Sequence, residues 1–190
     1  MSRTAGAGSQ QLTAEGITAA AFPADVLDRD ALAQALKDAA ARFGGIDALE
    51  YSPVGGHCHR DDRPVRDRSH VQHEMEFQLY GAIAATRAVL PAMREAGAGT
   101  LLFTTGAGSI NPVPMIGNVN AAAAALRNWA INLHQELEGT GVQAAHVAID
   151  VSIGTAVMPG HPVAQAEAIS PVYWELHTTH RDQAERVFSR

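Results

Sequence analysis

Short apolar runs alternate with stretches of helical periodicity along most of the 190 residues. Ile17–Phe22 is an apolar run ended by Pro23, the pattern of a buried parallel strand. Asp28 stands where an N-cap belongs. Leu32, Leu36, Ala40 and Phe43 follow at helical spacing, and Gly44-Gly45 closes that helix. Ile46–Tyr51 reads as a second strand. His70 to Glu95 carries Met75, Leu79, Ile83 and Leu90 along one stripe, which predicts a long helix that Pro91 kinks or ends. Gly99–Thr105 reads as a strand and 106–117 as a loop punctuated by glycine and proline. Asn118–Leu137 reads as a helix: a wall of alanines from Ala121 to Ala125, then Leu126, Trp129, Leu133 and Leu137, with Gly139 stopping it. Val142–Ile149 is a further strand. The tail predicts a short helix near Pro162–Ala168 and another around Val172–His177, and the start predicts a short one near Gln10–Glu15.

Strand alternating with helix gives an α/β chain whose parallel sheet is covered by helices on both faces. No internal repeat or low-complexity tract interrupts the pattern, so 1–190 is read as a single domain. With 46% hydrophobic residues a sizeable core is available, and with only 5% aromatics Ala, Val, Leu and Ile must fill most of it. The formal charge of -6 and the lack of any Lys/Arg run argue against nucleic-acid or anionic-membrane partners. One cysteine excludes a disulfide framework and suits a reducing, cytoplasmic setting. Residues 1–8 lack the apolar stretch of a signal peptide, and no run of about 18 apolar residues predicts a membrane span.

Candidate chemistry gathers in the loops. The segment 52–69 has no periodicity and carries His57-Cys58-His59; His70 and His73 follow at the start of the long helix. Imidazoles at such spacing can hold a transition metal, but a polar loop with solvated histidines is the favoured reading, and no metal is expected. Cys58 reads as a plain loop thiol. His57 and His59 follow the carboxyl end of a central strand, where ligands of such sheets bind, and are the acid–base candidates. Thr105 is either an oxyanion-type donor or a strand-end hydroxyl. Asp150 is either a buried base of raised pKa or a satisfied loop aspartate. Asn118 and Asn120 read as helix caps, with a pocket-lining role as the alternative. Ser52, Asn118 and Thr155 are expected to line a substrate pocket for a hydrophobic small molecule.

Several segments together resemble the short-chain dehydrogenase/reductase family. They are Ala24-Asp25-Val26, Phe43-Gly44-Gly45-Ile46-Asp47, Leu79-Tyr80-Gly81 through Thr86-Arg87-Ala88-Val89-Leu90-Pro91-Ala92-Met93, and Gly99 to Thr105. The likeness runs from about Thr18 to Val151, and Trp174-Glu175-Leu176 extends it. The resemblance implies a Rossmann-like fold, places Asp25 at a cofactor adenine if a nucleotide binds, with a turn aspartate the favoured reading, puts the catalytic serine on Thr105, and implies a homodimer through helices 70–95 and 118–137.

Departures from the family pattern shape the functional expectation. The family opens with a strand, a Gly-rich turn and a helix whose N–H groups receive the cofactor pyrophosphate; this sequence resembles the family only from the segment after its second strand. The Asn-Asn-Ala-Gly motif is Tyr51-Ser52-Pro53-Val54, and the asparagine of the long helix is Gln78. The catalytic tyrosine falls on Asn118 or Val119, and the lysine on Ala122 or Ala123. The expected sheet therefore lacks the first βαβ unit and has about five strands, Ile17–Phe22 pairing directly with Ile46–Tyr51 unless a second chain covers that edge. The expected activity is a non-redox step (isomerisation, cyclisation or dehydration) using His57, His59, Thr105 or Asp150, with no nicotinamide cofactor. An NAD(P)-dependent oxidoreductase and a non-catalytic dimeric binding protein are the alternatives.

Overall fold

The computed structural model describes residues 10–53, 68–156 and 159–189. Helix α1 (Arg29–Phe43) begins as its sequence dictates: the Asp28 carboxylate accepts the Ala31 N–H at 3.0 Å. It ends at Gly44, whose φ of 84° only glycine adopts without strain. β1 (Ala48–Tyr51) follows. The long helix then comes in three continuous parts: α2 (Arg68–Glu74), a π-helical segment at Met75–Tyr80, and α3 (Gly81–Ala96). Pro91 sits inside α3 rather than ending it.

β2 (Gly99–Gly106) leads through two short turns into α4 (Gly117–Glu136), and β3 (Val142–Ile149) is buried along its whole length. The remainder comprises the short pair β4 (Ser152–Ile153) and β5 (Val163–Ala164), helix α5 (Ala166–Thr178) and β6 (Glu185–Phe188).

The main sheet is parallel in the order β1-β2-β3-β6. Side-chain alternation splits its residues between two cores. Leu49, Tyr51, Leu101, Phe103 and Ala144 face α3 and α4, meeting Ala85, Val89, Met93, Leu126, Ala130 and Leu133. Leu102, Ala145, Val147 and Ile149 face α5, meeting Ile169 and Leu176. The fold is thus α/β with a parallel sheet flanked by helices, as the pattern predicts.

Four expectations are corrected. Among the described residues the main sheet has four strands, not five. Residues 17–22 form no strand: they run as irregular chain, with Ile17 half exposed and the Phe22 ring edge-on to Phe43 at 6.3 Å. Among the described residues nothing pairs with the outer edge of β1. Apolarity gave residues 17–22 a surface to pack but no ladder to join, and a strand requires both. The helix predicted near Pro162–Ala168 is instead β5, and only from Ala166 does α5 begin. The outer strand β6 carries a half-polar sequence, Glu185-Arg186-Val187-Phe188, with no strand signature, and is held by pairing with β3. Among the described residues no helix is long and apolar enough to cross a membrane.

Candidate functional site

In a parallel sheet the strands' carboxyl ends share one edge, and the loops leaving them converge there. Here that edge holds Ser52 after β1, Thr105 and Gly106 at the end of β2, and Asp150 after β3. A side chain built at Gly106 would meet nothing within 4 Å, so the end of β2 opens onto free space.

One buried polar chain starts at this edge. The Thr105 hydroxyl is buried and lies 2.8 Å from His146 Nε2 and 3.0 Å from Ser109 Oγ. His146, on β3, has no exposed surface, and its Nδ1 is 3.0 Å from Glu185 Oε1 on the adjacent β6. Arg127 of α4 grips the same carboxylate through Nε at 2.5 Å and Nη2 at 2.8 Å, the planar fork on fork that suits guanidinium. Burial pushes the His146 pKa down, and the Glu185 contact opposes that only in part. The Arg127 hydrogen bonds hold Glu185 below the usual carboxylate range.

A second chain lies on the opposite face. Ser52 Oγ donates to Glu50 Oε2 at 3.0 Å, and Thr104 Oγ1 donates to Glu50 Oε1 at 2.6 Å. Tyr173 OH is 2.9 Å from Thr104 and, since that hydroxyl's proton goes to the carboxylate, donates to it. Burial raises the Tyr173 pKa, and Glu50 adds to this.

Beside the outer edge of β1 runs an apolar slot of about 310 Å³, lined by Val26, Leu32 and Leu36 from the α1 side and by Leu49, Tyr51 and Ser52 from β1. A larger hollow of about 370 Å³, near Leu137 and Arg181, lies at the strands' amino ends and far from this chemistry.

The structure brings together only some of the residues the sequence singled out. Thr105 sits at the heart of the first chain. Ser52 joins the second and also lines the slot. Asp25 precedes Val26 of the slot, and its Oδ1 accepts the Leu27 N–H at 3.0 Å, so it closes a turn. Asp150 is only partly covered, not a buried base; its N–H donates to Phe188 O at 2.8 Å and ties β3 to β6. Thr155 is exposed, with its N–H on Ile153 O at 2.8 Å. Asn118 and Asn120 do not cap α4, which starts after Ile116 with no side-chain cap. Asn118 lies in the first turn; Asn120 is buried and donates to Val113 O at 2.8 Å.

His57 and His59 lie outside the described residues. His70 and His73 stand on α2, the latter ring stacked on Phe77 at 6.4 Å. Among the described residues no group of three or more metal-ligating side chains forms. Gln78 falls in the π segment and reaches Glu74 Oε2 at 3.0 Å and Val119 O at 3.5 Å. His146, Glu185 and Arg127 escaped the sequence reading. The available signal was a histidine within an otherwise apolar strand, since a buried imidazole demands partners.

The model of the short chain dehydrogenase family matches residues 2–158. A fatty acyl-CoA reductase of Mycobacterium tuberculosis is 28% identical over 136 residues, covering 70% of this chain and 46% of that protein. The chain therefore spans less than half the length of this curated relative. Among solved structures, the L-sorbose reductase of Gluconobacter frateurii, complexed with NADPH and L-sorbose, superposes with a TM-score of 0.85 at 14% identity over 100% of this chain and 82% of that one. The 3-oxoacyl-[acyl-carrier protein] reductase of Brucella melitensis with bound NAD gives 0.82 at 20% identity, covering 96% and 74%. At these identities the superpositions speak for the fold. All three relatives are reductases and both solved ones hold a nicotinamide dinucleotide, which overturns the expectation of a non-redox enzyme without a nicotinamide cofactor. With the family's model matching most of its length and its sheet superposing on theirs, this chain belongs to the short-chain dehydrogenase family.

Proposed function

We propose that this chain is an NAD(P)-dependent oxidoreductase that interconverts a carbonyl and an alcohol on a hydrophobic small molecule. The observation that carries the reading is the family match over residues 2–158. The reductase names of the relatives point the same way.

The described residues suit the cofactor at one place. The slot beside β1 offers apolar walls for a base, with Ser52 on its wall and Asp25 next to Val26. Asp25 and Ser52 would hold the adenosine end, leaving the end of β2, where Thr105 and Gly106 stand, for the reacting end. When bound, the cofactor gives or takes a hydride. The chain must bind the substrate, exclude water and move one proton. The family's tyrosine and lysine cannot do this here: Asn118 does not titrate near neutral pH, Val119 has no polar group, and Ala122 and Ala123 are buried methyls.

A homodimer through helices 70–95 and 118–137 and a cytoplasmic location belong to the same reading. Sedimentation that finds a monomer at every concentration removes the dimer. Fluorescence titration with NADH and NADPH tests the central reading: saturable binding is expected, and no binding at millimolar cofactor sinks it.

A further inference from the structure

We propose that the hollow at the amino ends of the strands, near Leu137 and Arg181, is a binding site for a small organic ammonium ion. It lies at the opposite end of the sheet from Thr105 and Gly106 and needs no nicotinamide.

The hollow holds about 370 Å³, within the size range of small-molecule sites. Its walls come from the end of α4 and the turn after it, the start of β3, and Arg181 and Asp182 ahead of β6. Gln143 of β3 lines it and is only 4% exposed. The His146 N–H bonds Ala184 O, so even-numbered residues of β3 turn their peptide groups towards β6 and odd-numbered ones towards β2. The peptide groups of Gln143 are therefore spent on the β2 ladder, and what it presents to the hollow is its side chain. Nε2 of that side chain donates to His180 O at 3.3 Å, while Oε1 is buried with no partner among the described residues. Buried acceptors are nearly always matched by a donor.

The side-chain donors lining the hollow are nearly all spent. Arg181 Nη1 donates to Thr100 Oγ1 at 3.0 Å and His177 O at 2.9 Å, and Nη2 to Gly99 O at 3.1 Å and Gly141 O at 3.0 Å. His134 Nδ1 lies 2.8 Å from Ala144 O, which only accepts, so Nδ1 carries the ring proton and Nε2 keeps a lone pair. Acceptors remain in excess. Besides Gln143 Oε1 and His134 Nε2, the exposed carboxylates of Glu138 and Asp182 line the hollow and make no ion pair among the described residues. Two carboxylates thus stand against one guanidinium, and α4 turns its carbonyl end, the negative pole of its dipole, to the same place. The ligand that fits is a cation that only donates. Among the described residues no group of three or more His, Cys, Asp or Glu side chains is placed to hold a metal ion. A primary ammonium, with three N–H donors and no acceptor, meets the requirement.

Titration of the full-length protein with n-butylammonium, followed by the side-chain amide resonances of Gln143, tests the site. Saturable shifts are expected, and 1-butanol and butyrate, similar in size but without the ammonium, should give none. Gln143→Leu deletes the acceptor at similar volume and should weaken butylammonium binding about tenfold. Glu138→Gln and Asp182→Asn, at exposed positions, should each weaken it about two- to threefold, and the loss should shrink in high salt. Shifts that stay linear to tens of millimolar, as when water alone satisfies Gln143 Oε1, overturn the proposal. An equal response to 1-butanol, or unchanged affinity in a folded Gln143→Leu protein, overturns it as well. Where Gln143→Leu does not fold, unchanged affinity in the Glu138→Gln/Asp182→Asn double variant has the same force. None of these readouts involves NADH or NADPH, so the ammonium site and the oxidoreductase reading stand or fall separately.

Discussion

At Gly81 the long helix passes so close to β1 that a side chain has no room. A Cβ there would overlap the Tyr51 hydroxyl, which donates to Phe77 O at 2.6 Å from a buried ring. Burial pushes the Tyr51 pKa up, Arg29 opposing in part, so the phenol keeps its proton and its donor role. Gly81→Ala gains about 1 kcal/mol of helix propensity and loses about 1–3 to overpacking, so a net loss near 1 kcal/mol is expected. Tyr51→Phe should cost about 1 kcal/mol for the carbonyl it leaves unpaired. Removing the hydroxyl also makes the room that alanine needs. The double variant should therefore lose less than the sum, by at least about 0.5 kcal/mol in urea unfolding. Strict additivity would show that the close approach does not exclude the side chain. This contact illustrates what the chain pattern hides: Tyr51 reads as a strand-end aromatic, and Phe77 O has no sequence signature at all. Thr105 was legible because it ends an apolar strand at a position the family uses. His146 was visible only as an oddity, because its partner Glu185 lies in a strand too polar and short to predict.

Element boundaries were legible where local chemistry sets them, as at Asp28 and Gly44 around α1. The π segment was not, since one extra residue per turn leaves the apolar stripe through Met75, Leu79 and Ile83 nearly unchanged. There the Gly81 N–H reaches back to Glu76 O, five residues earlier. Arg29 secures this turn from α1, its Nη2 donating to Glu76 O at 2.8 Å and to Glu76 Oε2 at 2.5 Å, while Nη1 donates to Val26 O. One guanidinium thus ties the start of α1, the preceding turn and the π segment together. Arg29→Met keeps the aliphatic stem and deletes the fork. It should cost about 1–2 kcal/mol and raise amide hydrogen exchange at residues 75–81 more than in α4. Exchange that rises equally everywhere would mean that Arg29 supports the fold at large rather than this turn. Residues 17–22 failed as a strand for the complementary reason. Strand formation depends on a neighbour distant in sequence, which no local pattern encodes.

Across the whole molecule, the Arg127–Glu185–His146–Thr105 chain joins α4, β6, β3 and β2, so its protonation is coupled to global stability. His146 has a folded pKa below its usual 6.5, so the unfolded chain binds the extra proton first. Its contribution is present above about pH 6.5 and is lost as pH falls from there towards the folded value. Glu185 has a folded pKa below 4.5, so its contribution is present above that value and is lost as pH falls through the folded one. Both losses lie on the acid side, in successive windows, and neither group destabilises the protein as pH rises above 7. Urea midpoints measured at pH 4, 5, 6 and 7.5 should fall first below pH 6.5, with a slope of at most about 1.4 kcal/mol per pH unit from one proton. His146→Gln should flatten the upper window and leave the lower one. Glu185→Gln should remove the lower window at a cost of about 2 kcal/mol at neutral pH, because Arg127 and His146 lose their common acceptor. A His146→Gln protein that keeps the wild-type slope between pH 6.5 and 5 would show that the buried imidazole is not the group coupling protons to this fold. In that case its hydrogen bonds to Glu185 and Thr105 could serve only as packing.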